Sequence, residues 1–148
     1  MNLIRPWLYI GKYADTVNHA LLASRGIGAM LQLAEHARHP QIPSLYLPVQ
    51  DGLSLPPELL RRGVTFVRDA YQRDRTILIA CGAGISRSAT FCTAGLKEIE
   101  QIGLLEAFTA VKDHHPDAMP APALWSSLCA YYHEPVPYEV VLELDDLD

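Results

Sequence analysis

A short loop between an apolar strand and a helix constrains this chain more than any other segment. Residues 76–80 are mostly β-branched or aliphatic, which predicts a buried strand. Cys81 follows directly, and Arg87 stands six positions later, where a helical pattern begins. The residues between them are Gly82, Ala83, Gly84, Ile85 and Ser86. Five residues at this position can curl so that their backbone N–H groups converge, and such a nest at a helix N-terminus binds an oxyanion such as phosphate.

The side chains at the two ends of this loop predict chemistry as well as binding. Arg87 carries a planar guanidinium that matches two oxygens of a phosphate group. The same positive field favours the thiolate form of Cys81, which is the nucleophilic form. A buried structural cysteine followed by an ordinary helix start is the alternative interpretation. A structural cysteine has no need of small residues and an arginine around it, so the loop indicates an anion site that contains its own attacking atom.

The length and composition predict an ordinary globular domain. A chain of 148 residues is long enough to bury about two-thirds of its unfolded surface without disulfides or metals. Three cysteines, an odd number, indicate reduced thiols. No apolar run approaches the length that spans a membrane, and residues 1–6 lack the apolar core of a secretory signal. These features favour a cytoplasmic location.

The net charge of −5 is concentrated at one end of the chain. Residues 1–137 contain 12 Lys or Arg and 12 Asp or Glu, so the whole excess comes from the last 11 residues. No basic stripe is present, which argues against nucleic acid or anionic lipid as a partner. Residues 138–148 are therefore interpreted as an acidic C-terminal tail or, since apolar and acidic residues partly alternate there, as an added edge strand.

The order of elements predicts an α/β fold. Strands are expected at residues 7–10, 29–33, 45–47 and 76–80. Helices are expected from Pro56 to Tyr71, with Leu60, Val64, Val67 and Tyr71 as the buried stripe, and at residues 87–100, 104–114 and 121–132. Alternating strands and helices imply a central, mainly parallel sheet of about four to five strands flanked by helices. Residues 1–137 are expected to form a single catalytic domain, with Cys81 at the carboxyl end of a strand, where ligands bind in such sheets.

Residues 81–90 resemble the signature of the cysteine-dependent protein phosphatases, and in particular that of the small, catalytic-domain-only members of the dual-specificity family. The resemblance covers residues 1–137 in element order and implies the same fold. In that family an aspartate on a loop before the signature acts as the general acid, and Asp51 occupies this place. A turn-forming Asp51–Gly52 pair is the competing interpretation. The family's hydroxyl after the arginine stabilises the departing thiolate, and Ser88 stands there, although it could also cap the helix.

The resemblance implies a phosphomonoester hydrolase that works through a cysteinyl-phosphate intermediate. Cys81, Arg87, Asp51 and Ser88 would be the catalytic residues, and residues 82–87 would bind the phosphate. No metal or cofactor is implied. The expected substrate is a phosphorylated protein or peptide carrying phosphotyrosine, phosphoserine or phosphothreonine. One position departs from the family pattern, because Ala80 stands where histidine usually precedes the nucleophile.

Several alternatives remain open on the sequence alone. A phosphopeptide-binding pseudophosphatase and a small-molecule or nucleotide phosphatase could use the same scaffold. A rhodanese-type sulfur carrier has no use for Asp51, and the low-molecular-weight phosphatases place the acid after the cysteine. Cys92 and Cys129 are expected to be core residues. His36, His39, His114 and His115 are expected to be loop or helix-end residues, and Arg38 with His36 and His39 is a weaker hypothesis for contacting a second acidic group.

Overall fold

A five-stranded sheet with helices on both faces organises residues 1–146, the part of the chain that this computed structural model describes. The strands are β1 (Asn2–Arg5), β2 (Leu8–Lys12), β3 (Ile27–Gln32), β4 (Ser44–Tyr46) and β5 (Thr76–Cys81). Their order across the sheet is β1-β2-β5-β3-β4. β1 pairs antiparallel with β2, and the other pairings are parallel. The predicted α/β class and the mainly parallel sheet are therefore confirmed.

The helices cover the sheet unevenly. They are α1 (Tyr13–Thr16), α2 (His19–Ser24), α3 (Pro57–Gln72), α4 (Arg87–Glu100), α5 (Leu104–His114), α6 (Pro122–Tyr132) and α7 (Tyr138–Asp146). The larger hydrophobic cluster packs α3 to α7 against one face, and the smaller one packs Leu22 of α2 against the other. α4 lies in the middle of the larger layer, and its residues 88–96 are all buried. None of the helices within residues 1–146 has the length and apolar character needed to cross a membrane.

β5 is the central strand, which fixes the position of the loop that follows it. It pairs with β2 on one side and with β3 on the other. Ile77, Leu78 and Ile79 are fully buried because both faces of the sheet are covered here. Cys81 ends the strand at its carboxyl end, and α4 begins six residues later at Arg87. The sequence prediction for this segment is confirmed in the structure.

The fifth strand lies at the N-terminus, where the sequence did not indicate one. β1 is an edge strand, and of its four residues only Ile4 is buried. A strand with one buried residue has no alternating apolar pattern to detect. It is held by its pairing with β2, which is a tertiary contact rather than a local preference.

The predicted edge strand at the C-terminus is wrong, because residues 138–146 form helix α7. The residues that pack against the core are Tyr138, Val141 and Leu144, which recur every three positions as on a helix face. Leu142, which the strand interpretation places with Tyr138 on one face, is 45% exposed. Val141 is buried in the main core, so this segment is not a loose tail either. Asp148, part of the predicted acidic tail, lies outside the described residues.

The buried stripe of α3 is confirmed except at its end. Leu60, Val64 and Val67 are buried, whereas Tyr71 is 41% exposed and meets the ring of Trp7 edge-on. The helix also approaches α4 closely, because a Cβ on Gly63 would stand 2.3 Å from the Phe91 ring. This approach requires glycine and brings the N-terminal half of α3 close to α4.

Candidate active site

In the loop between β5 and α4, residues 82–86, three carbonyl groups accept hydrogen bonds from the rest of the protein, whereas the backbone N–H groups do not donate any within the described part of the chain. The outward carbonyls of Gly82, Gly84 and Ile85 accept hydrogen bonds from Tyr13 N, His115 Nε2 and Met119 N. The backbone N–H groups of residues 82–87 donate to no acceptor within residues 1–146. Since an unpaired N–H group in a protein needs a solvent or ligand acceptor, these groups are available to an anion.

Gly84 gives the loop its curvature. Its φ of +74° lies in the left-handed region, which side chains other than glycine adopt with strain. A Cβ at this position would also stand 3.0 Å from the carbonyl oxygen of Gly11 in the neighbouring strand β2. The loop therefore needs glycine here for conformation and for space at once.

Cys81 and Ser88 lie in contact at the floor of the loop. Cys81 Sγ is 3.2 Å from Ser88 Oγ, and the backbone N–H of Ser88 donates to Sγ over 3.4 Å. Both residues are buried. Ser88 is the second residue of α4 rather than its cap, which is Ser86. When Cys81 is a thiolate, the Ser88 hydroxyl and amide can both donate to it, and hydrogen bonds to a charged group are the strong ones.

Arg87 reaches back across the mouth of the loop. Its Nη1 donates to the carbonyl of Val49 over 3.1 Å, and its Nη2 lies 3.2 Å from where a Cβ on Gly82 would stand. Its Nε is buried and has no hydrogen-bond partner within residues 1–146. A buried guanidinium N–H without an acceptor costs about 1–3 kcal/mol or more. An oxyanion could accept hydrogen bonds both from the Nε–H of Arg87 and from the unpaired backbone N–H groups of the loop.

Asp51 lies on an exposed turn that is anchored on both sides. Val49 N donates to Leu33 O upstream, and Leu55 N donates to Ser127 Oγ downstream. The bond from Arg87 to Val49, two residues before Asp51, connects this turn to the first residue of α4, directly after the loop of residues 82–86. The Asp51 carboxylate makes no hydrogen bond or ion pair with any residue in 1–146, so it does not close the turn through its own side chain. Gly52, with φ +81°, supplies the turn conformation instead.

Ala80 is buried beside small and medium-sized neighbours. It packs with Leu22 and Met30 in the smaller hydrophobic cluster. Tyr13, Thr16 and Gln32 line the adjoining gap, which is too small for a water molecule. The alanine side chain is therefore closely packed at this departure from the family pattern.

The sequence did not indicate how the outer side of the loop is supported. The His115 ring accepts a hydrogen bond at Nδ1 from Asn2 Nδ2 and donates one from Nε2 to Gly84 O, and each is 2.7 Å long. The tautomer of the ring is assigned from these two partners. Met119 N donates to Ile85 O and Ala121 N donates to Ser86 Oγ, each over 2.9 Å. These bonds join residues more than 30 positions apart, two of them through backbone groups, so no local pattern could have predicted them.

The other predicted polar residues lie away from the loop. His36 stacks on Tyr46 and His39 lies against His19, and neither contacts residues 82–88. Arg38 is exposed. Within residues 1–146, no group of three or more His, Cys, Asp or Glu side chains lies close enough together to hold a metal ion.

The three cysteines differ in their surroundings. Burial raises the pKa of Cys92 well above its usual value, with a smaller effect from Cys81. Burial likewise raises the pKa of Cys129, only partly opposed by its contact with Val136 O. Iodoacetate reacts with thiolates, and the raised pKa values of Cys92 and Cys129 keep these two thiols protonated at pH 7, so we expect Cys81 to be modified before either of them in the folded protein. Mass spectrometry of the peptides checks this prediction. Modification of Cys92 at an equal rate would contradict it, and denaturation should make all three cysteines reactive.

Comparison with known proteins adds a family to this geometry. Residues 8–134 match the family model described as "Dual specificity phosphatase, catalytic domain". Human dual specificity protein phosphatase 16 is 35% identical over 124 residues, which are 79% of this chain and 18% of that protein. Human dual specificity protein phosphatase 14 is 30% identical over 128 residues, 84% of this chain and 65% of that protein. The chain thus spans less than two-thirds of the length of either relative.

Solved structures of similar proteins agree with the fold. The crystal structure of human DUSP28 superposes with a TM-score of 0.83 at 26% identity, covering 90% of this chain and 96% of that one. A mouse putative dual specificity phosphatase, solved in complex with zinc tungstate, gives a TM-score of 0.83 at 28% identity, covering 89% of this chain and 86% of that one.

Proposed function

The chain belongs to the dual specificity phosphatase family, and we propose from this premise that it hydrolyses phosphomonoesters on phosphorylated proteins or peptides. The observation that carries the proposal lies in the loop of residues 82–86, which we call the phosphate loop. The N–H groups of residues 82–87 and the buried Arg87 Nε have no acceptor within residues 1–146, and the Cys81 thiol directly precedes the loop. The tungstate bound to the mouse relative is a tetrahedral oxyanion, which supports an equivalent site here.

The first chemical step is an inline displacement at phosphorus. The Cys81 thiolate attacks, a bond forms between Sγ and phosphorus, and the bond from phosphorus to the substrate oxygen breaks. Asp51 gives its proton to that leaving oxygen, so a neutral alcohol or phenol departs. The loop amides and the Arg87 fork hold the equatorial oxygens, where charge is carried in the transition state.

The second step releases phosphate and restores the thiolate. A water molecule attacks the cysteinyl phosphate and loses a proton to the Asp51 carboxylate. The bond between Sγ and phosphorus breaks, and the electron pair returns to sulfur. Ser88 Oγ, 3.2 Å from Sγ, donates a hydrogen bond to the thiolate that forms. This contact supports a chemical role for Ser88 in preference to a helix cap.

The substrate range follows from what surrounds the loop. The side chains within it are small or apolar, so nothing in the loop itself recognises a second phosphate. Gly82, Ala83 and Ile85 are exposed, which leaves the rim of the site open. We propose a shallow site that accepts phosphotyrosine together with phosphoserine and phosphothreonine.

The proposed acid is tested with Asp51→Asn. With phenyl phosphate, a poor leaving group, kcat/KM, which reports the steps up to departure of the leaving group, should fall by about 10²-fold, since a positioned general acid contributes roughly that much or more. With p-nitrophenyl phosphate the loss should be smaller, because the better leaving group needs less protonation. Steady-state kinetics with both esters measures the two ratios.

Asp74→Asn is the matched control, because Asp74 is also exposed in a turn and asparagine tolerates its φ of +56°. Equal losses for both esters would mean that another residue is the acid. A wild-type protein that binds phosphopeptide without hydrolysing any ester would favour the pseudophosphatase alternative. Hydrolysis of small esters but of no phosphopeptide would favour a small-molecule phosphatase.

A further inference from the structure

We propose that residues 115–121, the supporting segment, aim the amides of the phosphate loop, and that helix α7 holds this segment in place. The inference rests on the proposed function, because it concerns how the oxyanion site is built. It assigns a positioning role to a helix that lies beyond the part of the chain matched by the family model, residues 8–134.

The geometry of the peptide group connects the outer bonds to the inner site. A peptide is planar and trans, so a carbonyl that points outward makes the N–H of the next residue point inward. The bond from His115 to Gly84 O therefore directs the Ile85 N–H, and the bond from Met119 N to Ile85 O directs the Ser86 N–H. The bond from Ala121 N to Ser86 Oγ holds the side chain at the start of α4. Three consecutive loop residues are thus held by one segment.

The supporting segment has no regular secondary structure of its own before α6 begins, so it must be held from outside. Lys112, at 3% exposure, donates to the carbonyls of Pro116 and Ala118 and pairs with the Asp145 carboxylate of α7. Tyr138 of α7 donates its hydroxyl to Pro120 O over 2.7 Å. Two side chains of α7 therefore connect to both ends of the supporting segment.

Burial strengthens this connection. A buried ammonium must be hydrogen-bonded and paired, and Lys112 satisfies this by binding the segment and α7 at once. Val141, fully buried in the main core, fixes α7 between its two polar contacts. A shift of α7 would leave Lys112 without the Asp145 charge and would release Pro120. Either change would shift the donors of the supporting segment, His115 Nε2, Met119 N and Ala121 N, and so the loop groups that they hold.

The sharpest variant removes a single N–H group. Ala121 has φ −59°, which proline adopts without strain, so Ala121→Pro keeps the backbone angle, deletes the donor to Ser86 Oγ and places its ring Cδ against that oxygen, which must move away. Asp145→Asn removes the carboxylate charge that pairs with Lys112, and Tyr138→Phe removes the hydroxyl that donates to Pro120 O. Glu143→Gln is the matched control, since Glu143 is exposed on α7 and makes no hydrogen bond or ion pair with the supporting segment within residues 1–146. His115→Ala against His115→Gln adds a rescue pair, because glutamine can still donate to Gly84 O.

The measurements are inorganic tungstate affinity by calorimetry, kcat and KM for p-nitrophenyl phosphate, and the melting temperature. Ala121→Pro, Asp145→Asn, Tyr138→Phe and His115→Ala should each weaken tungstate binding by roughly 5–10-fold, as expected for one lost hydrogen bond in the site's support. Their kcat should fall in parallel, His115→Gln should recover most of the loss, and Glu143→Gln should behave as wild type.

The outcomes separate this inference from the proposed function. Lower melting temperatures with unchanged tungstate affinity and kcat at a temperature where the variants are folded would overturn it, because α7 would then be purely structural. If the wild-type protein binds tungstate but hydrolyses no ester, the proposed function is wrong. The tungstate affinities of the variants relative to wild type would still test the inference. Wild-type protein that does neither would overturn both.

Discussion

Replacing Cys81 with serine is expected to abolish aryl phosphate hydrolysis while leaving the fold and the oxyanion site in place. A serine hydroxyl stays protonated at neutral pH, so the attacking anion is lost although the loop amides remain. Losing the nucleophile of an enzyme that works through a covalent intermediate costs on the order of 10⁴–10⁶-fold in kcat. Steady-state kinetics with p-nitrophenyl phosphate measures the loss, and tungstate calorimetry reports whether the site survives.

Cys129→Ser is the matched control for this substitution. Cys129 Sγ lies 3.5 Å from Val136 O, where a serine hydroxyl can still donate, and the residue is only partly buried. Its variant should hydrolyse esters like the wild type. If Cys81→Ser kept turnover comparable to wild type, Cys81 would not be the nucleophile and the covalent mechanism would have to be abandoned.

Arg87→Lys is expected to be nearly as damaging, although the charge is retained. Arg87 offers Nε and Nη2 to a ligand while Nη1 is bound to Val49 O, a geometry that a single ammonium does not reproduce. Losing two charge-assisted hydrogen bonds worth about 1.5–3 kcal/mol each removes roughly 3–6 kcal/mol of transition-state stabilisation. At about 1.4 kcal/mol per tenfold change, kcat/KM should fall by about 10²–10⁴-fold.

The effect should appear in both kinetic constants, because the proposed mechanism has Arg87 hold the phosphoryl oxygens before and during the reaction. Arg61→Lys serves as the control, since Arg61 is exposed on α3 and pairs with Glu58. The melting temperature of each variant should be recorded, because Arg87 also links the phosphate loop to the turn that carries Asp51. A loss below tenfold at unchanged stability would show that the loop amides alone bind the oxyanion.

The strand, loop and helix around Cys81 were predictable because their signals are local. The aliphatic run of β5 and the spacing from Cys81 to Arg87 both lie within 12 consecutive residues. The left-handed angle at Gly84 is a property of glycine itself. Ser88 was named from the family pattern, and the structure places it in contact with Cys81. Asp51 was named from its position on the loop, and its role stays a prediction.

The C-terminal segment shows where local signals mislead. Its alternating residues fitted a strand as well as a helix over nine positions, and only contact with the core selects Tyr138, Val141 and Leu144 as the buried face. β1 was missed for the opposite reason, since an edge strand with one buried residue has almost no pattern to read. In both cases long-range packing decided the element.

By itself, the sequence determined which residues form the candidate site: a cysteine and an arginine at the two ends of a short loop between a strand and a helix. It did so because these residues are close together in the chain. Only the tertiary structure decided what holds the loop open to a ligand. The bonds from His115, Met119 and Ala121 join positions more than 30 residues apart. Such bonds form only once the core has brought the segments together, so their partners cannot be read from neighbouring residues.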